Sequence, residues 1–296
     1  MSDCGQVERS IIKKYRRDIW KTFISAIDAY ALIQEGDKIA VCMSGGKDSM
    51  LMAKCMQQLH RYSKFPFEVV YIVMDPGYND MNRRMIEENA AFLNIPIQVF
   101  PAPIFDYVAK LDKYPCYICA RMRRGYLYKQ AKLLGCNKIA LGHHFDDVIE
   151  TVLMSMFYNG EFKTMMPKLK SLNWDGMELI RPMYRVKEKD IIAWKNYNDL
   201  QFIQCACRLT ENCMLDDGGM GSKRQEIKQL IKKLRQTNPS IDNNIFGSVH
   251  DVNLDTVIGF HFKGQKTDFA EQYAQEAHDL VAKDEAIFES ANKNIE

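Results

Sequence analysis

The stretch Lys38-Ile-Ala-Val-Cys-Met43 and the six residues Ser44-Gly-Gly-Lys-Asp-Ser49 that follow it decide the fold. The first six residues predict a short buried strand, and the next six predict a glycine turn that leads into a helix near Asp48. Glycines let the backbone approach an anion, successive amides form an anion-binding nest, and a helix N-terminus adds positive potential. The stretch therefore predicts a phosphate-binding turn, in which Lys47 neutralises phosphate charge and Asp48 serves a metal ion or catalysis.

Two common nucleotide motifs do not match this turn. A Walker loop needs a glycine five positions before Gly46, where the chain has Val41, and Ser or Thr after Lys47, where it has Asp48. The dinucleotide pattern G-x-G-x-x-G is absent from the sequence. The alternative is a strand-to-helix turn with no binding or catalytic role, in which Asp48 caps the helix N-terminus.

The strand–helix alternation continues along the chain. Further strands are predicted at 67–74, 97–100, 137–141 and 177–183, and helices at 6–33, 49–61, 79–93, 120–134, 146–158, 187–200 and 222–236. Strand, helix and strand at this spacing indicate parallel βαβ units. The predicted fold class is α/β, a doubly wound parallel sheet of Rossmann type with an N-terminal helix and a smaller C-terminal helical region. The predicted segments are 1–35, 36–185, 186–264 and an acidic amphipathic tail at 265–296.

A second polar turn, Gly142-His-His-Phe-Asp-Asp147, follows the strand at 137–141. Because the carboxyl ends of parallel strands share one crevice, we expect this turn to face the glycine turn. Asp75 ends the second strand and is expected at the same edge.

Composition excludes several classes of protein. The chain has 296 residues, of which 47% are hydrophobic and 26% are charged, so it is an ordinary globular protein. No apolar run approaches the roughly 18 residues of a membrane span. The N-terminus is charged where a signal peptide is apolar, so we expect a cytoplasmic protein without a membrane partner.

Net charge alone, at +2, argues against a nucleic-acid partner, but it hides an asymmetry. Residues 110–138 carry eight basic side chains and one acidic one, whereas residues 266–296 carry three basic and eight acidic ones. Such a basic segment predicts phosphate contacts with RNA, and a solvated helix face is the alternative. The residues predicted to bind RNA are Arg121, Arg123, Arg124, Lys168 and Lys170.

The chain has nine cysteines, which in a cytoplasmic protein do not predict a disulfide framework. Cys116-Tyr-Ile-Cys119 precedes a helix, and a second group contains Cys205, Cys207 and Cys213. A thioredoxin-like redox pair belongs after the first strand, which leaves a zinc site and an iron–sulfur cluster open. Cys42, Cys55 and Cys136 are interpreted as core residues, and Cys4 lies in the N-terminal segment.

These motifs together resemble a known family. Ser44–Ser49 matches the SGGKDS signature of the PP-loop ATP pyrophosphatases, and Gly142–Asp147 resembles their second nucleotide motif. The blocks Lys13–Ser49, Cys116–Lys170 and Ile180-Arg-Pro182 are similar to those of the tRNA 2-thiocytidine synthetases, and the similarity covers most of residues 10–264.

The resemblance implies a PP-loop (HUP-like) fold, ATP cleavage between the α and β phosphates, and a [4Fe–4S] cluster. It implies Lys47 and Asp48 as catalytic residues and Mg²⁺ near Asp48. The implied ATP-binding residues are Met43, Ser44, Gly45, Gly46, Lys47, Asp48, Ser49, Asp75, Gly142, His143 and Asp147. The implied cluster ligands are Cys116, Cys119 and Cys205, with Cys207 as the alternative because Gln204 stands where the family has proline.

The resemblance also implies an activity. The expected enzyme is a tRNA sulfurtransferase that adenylates a cytidine at anticodon-loop position 32 and converts it to 2-thiocytidine. Its expected partners are tRNA, a sulfur donor (a cysteine desulfurase or sulfide) and a second copy of the chain. The alternatives are a thiolase for another base such as uridine, a lysidine-forming enzyme without a cluster, and a nucleotide-binding redox or metal sensor.

Overall fold

A six-stranded sheet forms the centre of the computed structural model, which describes residues 3–111, 115–203, 223–271 and 273–274. The strands are β1 Lys38–Met43, β2 Glu68–Asp75, β3 Ile97–Pro101, β4 Lys138–Ala140, β5 Lys168–Lys170 and β6 Glu178–Ile180. They lie in the order β3-β2-β1-β4-β6-β5.

Five strands of this sheet are parallel, as the sequence predicts. β1 pairs with β2 on one side and with β4 on the other, β2 pairs with β3, and β4 pairs with β6. Five of the six residues of β1 are buried, which is typical of a central strand covered on both faces. β5 was not predicted, because a three-residue strand gives no periodic signal; it pairs antiparallel with β6 at the edge.

Helices cover both faces of the sheet. Their bounds are α1 Cys4–Ile12, α2 Thr22–Ala29, α3 Lys47–Tyr62, α4 Asp80–Phe92, α5 Phe105–Val108, α6 Pro115–Leu133, α7 Phe145–Asn159, α8 Glu188–Tyr197, α9 Lys223–Thr237 and α10 Ile241–Ser248. On one face, side chains of α1, α2, α3, α4 and α8 form a single core with β1. On the other face, Tyr128 and Ala131 of α6 pack against Ala40, Ile72 and Ile139 of the sheet. The doubly wound arrangement is therefore as predicted.

The N-terminal segment corrects one prediction. The periodicity predicts a single helix over 6–33, but α1 and α2 are separated by a π-helical turn at Arg16–Lys21. The break lies where the Tyr15 hydroxyl donates to the Ala193 carbonyl (2.9 Å) and its ring packs edge-on against Tyr197. Contacts with α8 thus override a helical pattern that is continuous in the sequence.

The chain divides into two compact units, residues 1–249 and 250–296. In the second unit, β7 Gly259–Phe262 and β8 Gln265–Asp268 form an antiparallel hairpin. Its turn residues Lys263 and Gly264 both have positive φ, as a two-residue hairpin turn of this type requires. The first residues of the predicted acidic tail, 265–268, are therefore a strand, and helical residues begin at Phe269.

Candidate functional site

The sheet order creates a crevice between β1 and β4. From β1 the chain continues to β2 and β3 on one side, and then returns to β4 on the other side of β1. The turns after β1 and β4 therefore open next to each other, at the kind of switch point where α/β proteins bind ligands. Each of these turns leads into a helix, α3 or α7, whose N-terminus adds positive potential.

The glycine turn after β1 is closed by its own hydrogen bonds. The Ser49 hydroxyl accepts from the Ser44 backbone N–H (3.2 Å) and donates to the Gly46 carbonyl (3.0 Å). Gly45 has φ +81°, and a Cβ built there would lie 2.5 Å from Ile86 Cγ1 and 2.9 Å from Ile203 Cδ1. A side chain fits neither the conformation nor the space at Gly45.

The second turn touches the first through Gly142. A Cβ at Gly142 would lie 3.2 Å from Ser49 N and 3.3 Å from Ser49 Cα. Backbone therefore meets backbone across the crevice, and the absence of a side chain at Gly142 permits this approach.

A cavity of about 290 Å³ lies where the two turns meet. Seven of the predicted nucleotide-binding residues line it: Met43, Ser44, Asp48, Ser49, Gly142, His143 and Asp147. Its other lining residues are Cys42, Met74, Arg123, Leu127 and Leu141. The cavity thus has a polar wall at the two helix N-termini and an apolar wall suited to a nucleobase.

Lys47 lies beside this cavity and is held by two carboxylates. Its Nζ is 3.2 Å from Asp48 and 3.0 Å from Glu188 Oε1, at the first residue of α8. Burial alone would lower the Lys47 pKa, but the two carboxylates outweigh it and raise the pKa. Glu188 Oε2 is also 3.6 Å from Lys228 of α9. Motif spacing did not identify Glu188 as a site residue, because it is 141 positions away from Lys47.

Asp48 also approaches the second turn. Its Oδ1 is buried and lies 3.2 Å from Lys47 Nζ and 3.8 Å from His144 Nε2, but neither contact is a well-aligned hydrogen bond. A buried carboxylate oxygen whose only close partner is a lysine that can move away could serve as a ligand for a hard cation such as Mg²⁺.

Asp147 links the second turn to α9. One carboxylate oxygen accepts from the His144 backbone N–H (3.0 Å), and the other is 2.8 Å from Arg224. Burial alone would raise the Asp147 pKa, but His144 and Arg224 outweigh it and lower the pKa. Arg224 also contacts Glu150 (3.2 Å), whose pKa burial raises to about 7. The sequence pattern predicts the helix α9, but no motif in it points to a role for its basic side chains.

Asp75 lies at the predicted sheet edge but outside the lining of this cavity. Its Oδ1 accepts from the backbone N–H groups of Gly77 (2.9 Å) and Tyr78 (2.8 Å), and its Oδ2 is 3.3 Å from Arg83. In this structure the carboxylate therefore orders the turn after β2.

The helix of the cysteine motif borders the same cavity. Cys116 and Cys119 are three residues apart in the sequence, and both fall in the first turns of α6. Cys119 is buried in a cluster with Met74 and Phe105. Arg123, one helical turn further along, lines the cavity. The predicted ligands Cys205 and Cys207 lie outside the described residues, and among those described no group of three or more metal-binding side chains occurs.

The predicted RNA-binding residues fall in two places. Arg121 and Arg124 are exposed on α6, and Arg123 is half-buried between them. Lys168 and Lys170 lie on the edge strand β5, where Lys168 contacts Glu178 (3.2 Å) and Lys170 is exposed. Arg123 therefore lines the cavity, its two arginine neighbours are exposed on the same helix, and the two lysines lie on the edge strand.

Three comparisons place this arrangement among known proteins. Residues 15–209 match the family model described as a PP-loop domain. The chain is 35% identical to a tRNA-cytidine(32) 2-sulfurtransferase of Syntrophotalea carbinolica over 80% of this chain and 89% of that protein. It is equally identical to one from Aeromonas salmonicida over 81% and 76%. The U34-tRNA thiolase NcsA of Methanococcus maripaludis, solved with its [4Fe-4S] cluster, superposes with a TM-score of 0.61 at 20% identity, covering 80% of this chain and 78% of that one. This likeness confirms the predicted fold.

Among the residues described, no helix is long and apolar enough to span a bilayer.

Proposed function

Since the chain belongs to the PP-loop family and, within it, to the tRNA-cytidine(32) 2-sulfurtransferases, we propose that it thiolates cytidine 32 of tRNA at the expense of ATP. One observation carries the proposal: the signature turn and the helix of the cysteine motif border a single cavity. A thiolase needs this arrangement, because the activated base and the sulfur must meet at one place.

ATP binds in this cavity, with its phosphates at the N-termini of α3 and α7 and its base against the apolar wall. Lys47 turns from Glu188 towards the phosphates and supports the departing pyrophosphate. Asp48 would hold Mg²⁺, because its buried Oδ1 loses its contact with Lys47 Nζ (3.2 Å) when Lys47 turns towards the phosphates. The cytidine 2-oxygen attacks the α phosphorus, and the AMP ester that forms is a far better leaving group than the oxygen itself.

The cysteine helix fits an iron–sulfur cluster. Cys119 is buried on α6, the helix that borders the cavity, and Cys116 comes three residues before it in the sequence. Thiolates are the ligands that such clusters use. Ile203, the last described residue before Cys205 in the sequence, packs against Gly45 of the signature turn. We propose Cys205, with Cys207 as the alternative, as the third ligand. The bound [4Fe–4S] group supplies a site that carries the sulfur.

The arginines of α6 receive the RNA. Arg121 and Arg124 contact phosphates of the anticodon loop, while Arg123 faces both the nucleotide and the inserted base. Lys168 and Lys170 extend the contact along β5. We further propose a cysteine desulfurase or sulfide as the sulfur donor, a homodimer, and a cytoplasmic location, as expected for an enzyme that acts on tRNA.

Nucleoside mass spectrometry of tRNA tests this function. Cells that lack the protein should lose 2-thiocytidine, and the wild-type gene should restore it, whereas Lys47→Ala and Cys119→Ser should not. Loss of a thiolated uridine instead would identify a different base. An unchanged nucleoside profile, or full activity of Lys47→Ala, would show that the protein is not this thiolase.

Metal analysis after anaerobic purification tests the cluster separately. We expect about four iron and four inorganic sulfide per chain, and loss of both in Cys119→Ser. Cys136→Ser is the matched control, because Cys136 is also buried but belongs to a different hydrophobic cluster from Cys119. Stoichiometric zinc without iron would contradict the cluster.

A further inference from the structure

Arg181, directly after β6, is a buried cation with unusual partners. It is 6% exposed, its Nε–H donates to His143 Nδ1 (3.3 Å), and an Nη–H donates to the Met166 carbonyl. Its own backbone N–H donates to the Pro167 carbonyl (2.9 Å). Buried guanidinium groups are ordinarily matched by carboxylates, but within the described chain the side chain of Arg181 donates to a ring nitrogen and a backbone carbonyl and to no carboxylate. Its side chain is directed at a ring nitrogen instead.

This hydrogen bond determines which nitrogen of His143 carries the proton. An arginine can only donate, so Nδ1 must be the acceptor. In a neutral imidazole the proton then resides on Nε2. None of the hydrogen bonds among the described residues involves His143 Nε2, and His143 lines the cavity. The Nε2–H of His143 is therefore available to donate a hydrogen bond to a ligand in the cavity.

The surroundings keep this ring neutral. Burial, and then the positive charge of Arg181, lower the His143 pKa to about 4. Asp147 acts in the opposite sense, while Arg224 and His144 act in the same sense as Arg181. At physiological pH a donor of this kind binds an anion without first gaining a proton.

We propose that Arg181 is a positioning residue that fixes His143 as the Nε2–H tautomer, so that neutral His143 donates a hydrogen bond to a phosphate oxygen of bound ATP. The inference rests on the proposed function only in that ATP occupies the cavity. His143 of the second turn and Ser44 of the signature turn both line the cavity, so a phosphate bound between the turns would meet the His143 Nε2–H and the backbone N–H groups at the N-terminus of α3. A donor fixed before the ligand arrives need not reorganise as charge develops on that phosphate.

Long-range ¹H–¹⁵N NMR of the histidine ring tests the tautomer directly. The wild-type protein should show His143 as Nε2–H between pH 6 and 8. Arg181→Met should lose this preference, and Arg181→Gln, whose amide still donates, should restore part of it. Arg185→Met is the matched control, since Arg185 contacts Ser25 (2.7 Å) and Tyr30 rather than His143.

Calorimetry of ATP binding tests the consequence. His143→Ala should weaken binding about 10- to 100-fold, as expected for a hydrogen bond to a charged group, and Arg181→Met about 10-fold. Arg185→Met should bind as the wild type does. An Nδ1–H or cationic ring in the wild-type protein, or unchanged affinity of His143→Ala, would overturn the inference.

Two features keep this test decisive. If Arg181→Met does not fold, the wild-type spectrum and the affinity of His143→Ala still decide the question. If ATP binds and the tautomer is as stated but tRNA carries no 2-thiocytidine, the proposed function fails and the inference stands.

Discussion

Replacing Gly45 by alanine tests whether the signature turn is shaped as the structure shows. Gly45 has φ +81°, a conformation that costs an L-residue about 1–2 kcal/mol. The new Cβ would also lie 2.5 Å from Ile86 Cγ1, where ordinary contacts begin near 3.4 Å. Ile86 is 1% exposed and cannot move freely, so overpacking adds about 1–3 kcal/mol. We expect Gly45→Ala to lower the free energy of unfolding by about 2–5 kcal/mol.

Gly36→Ala is the matched control for this change. Gly36 has nearly the same φ, +79°, but a Cβ there meets nothing within 4 Å. It should therefore cost only the conformational part, about 1–2 kcal/mol, and leave ATP affinity unchanged. Gly45→Ala should in addition weaken ATP binding at least about tenfold, because relieving the clash displaces the amides that bind phosphate.

Urea denaturation and calorimetry of ATP binding measure both effects. A double variant that combines Gly45→Ala with Ile86→Ala should cost less than the sum of the two single changes, since Ile86→Ala removes the closest clash and leaves only the contact with Ile203 Cδ1. Equal destabilisation by Gly45→Ala and Gly36→Ala, or full additivity in the double variant, would refute the packing described around Gly45.

Three further predictions concern the charges around the site. Burial raises the pKa of Glu150 to about 7 from a usual 4.5, so between these pH values the folded protein keeps a proton that the unfolded chain has lost. The free energy of unfolding of the wild type should therefore fall by up to about 3 kcal/mol from pH 4.5 to 8, relative to that of Glu150→Gln. Parallel pH curves for the two proteins in urea denaturation would contradict this. Glu188→Gln should tighten ATP binding a few-fold in calorimetry, because phosphate no longer competes with a carboxylate for Lys47; weaker binding would show that Glu188 assists the nucleotide instead. Arg123→Gln should weaken the binding of both ATP and tRNA, because Arg123 lines the cavity. Arg121→Gln should weaken only tRNA binding and reduce its salt dependence. Equal effects of the two variants would place Arg123 outside the nucleotide site.

The parts of the site that the sequence predicts are those that neighbouring residues determine. The turn at Ser44–Ser49 is shaped by its own glycines and by the Ser49 hydroxyl, all within six residues. Parallel strands at β1 and β4 then bring Gly142–Asp147 to the same edge, which follows from the order of elements alone. Seven of the eleven residues predicted to bind ATP therefore line one cavity in the structure, and their contact with ATP stays a prediction.

The parts that the sequence does not predict depend on contacts between distant elements. Glu188 meets Lys47 only because α8 begins beside α3, and Arg224 meets Asp147 only because α9 packs on α7. Neither pair has a fixed spacing that a motif could record. The break between α1 and α2 has the same origin, since Tyr15 contacts α8 about 180 residues later in the chain.

The distant carboxylates explain how a site for a highly charged anion stays folded without it. Lys47, Arg224 and Lys228 would repel one another if their only partner were the nucleotide, but Glu188 and Asp147 neutralise part of this charge. Incoming phosphate must then compete with these carboxylates, which weakens ATP binding and holds the cations in place beforehand. Arg181 differs, because its hydrogen bond goes to the neutral His143. The site therefore contains two kinds of cation. Lys47 and Arg224 exchange a carboxylate for the nucleotide when ATP binds, whereas Arg181 keeps its hydrogen bond to His143. Only Arg181 thereby sets the direction in which a histidine N–H donates to the phosphate.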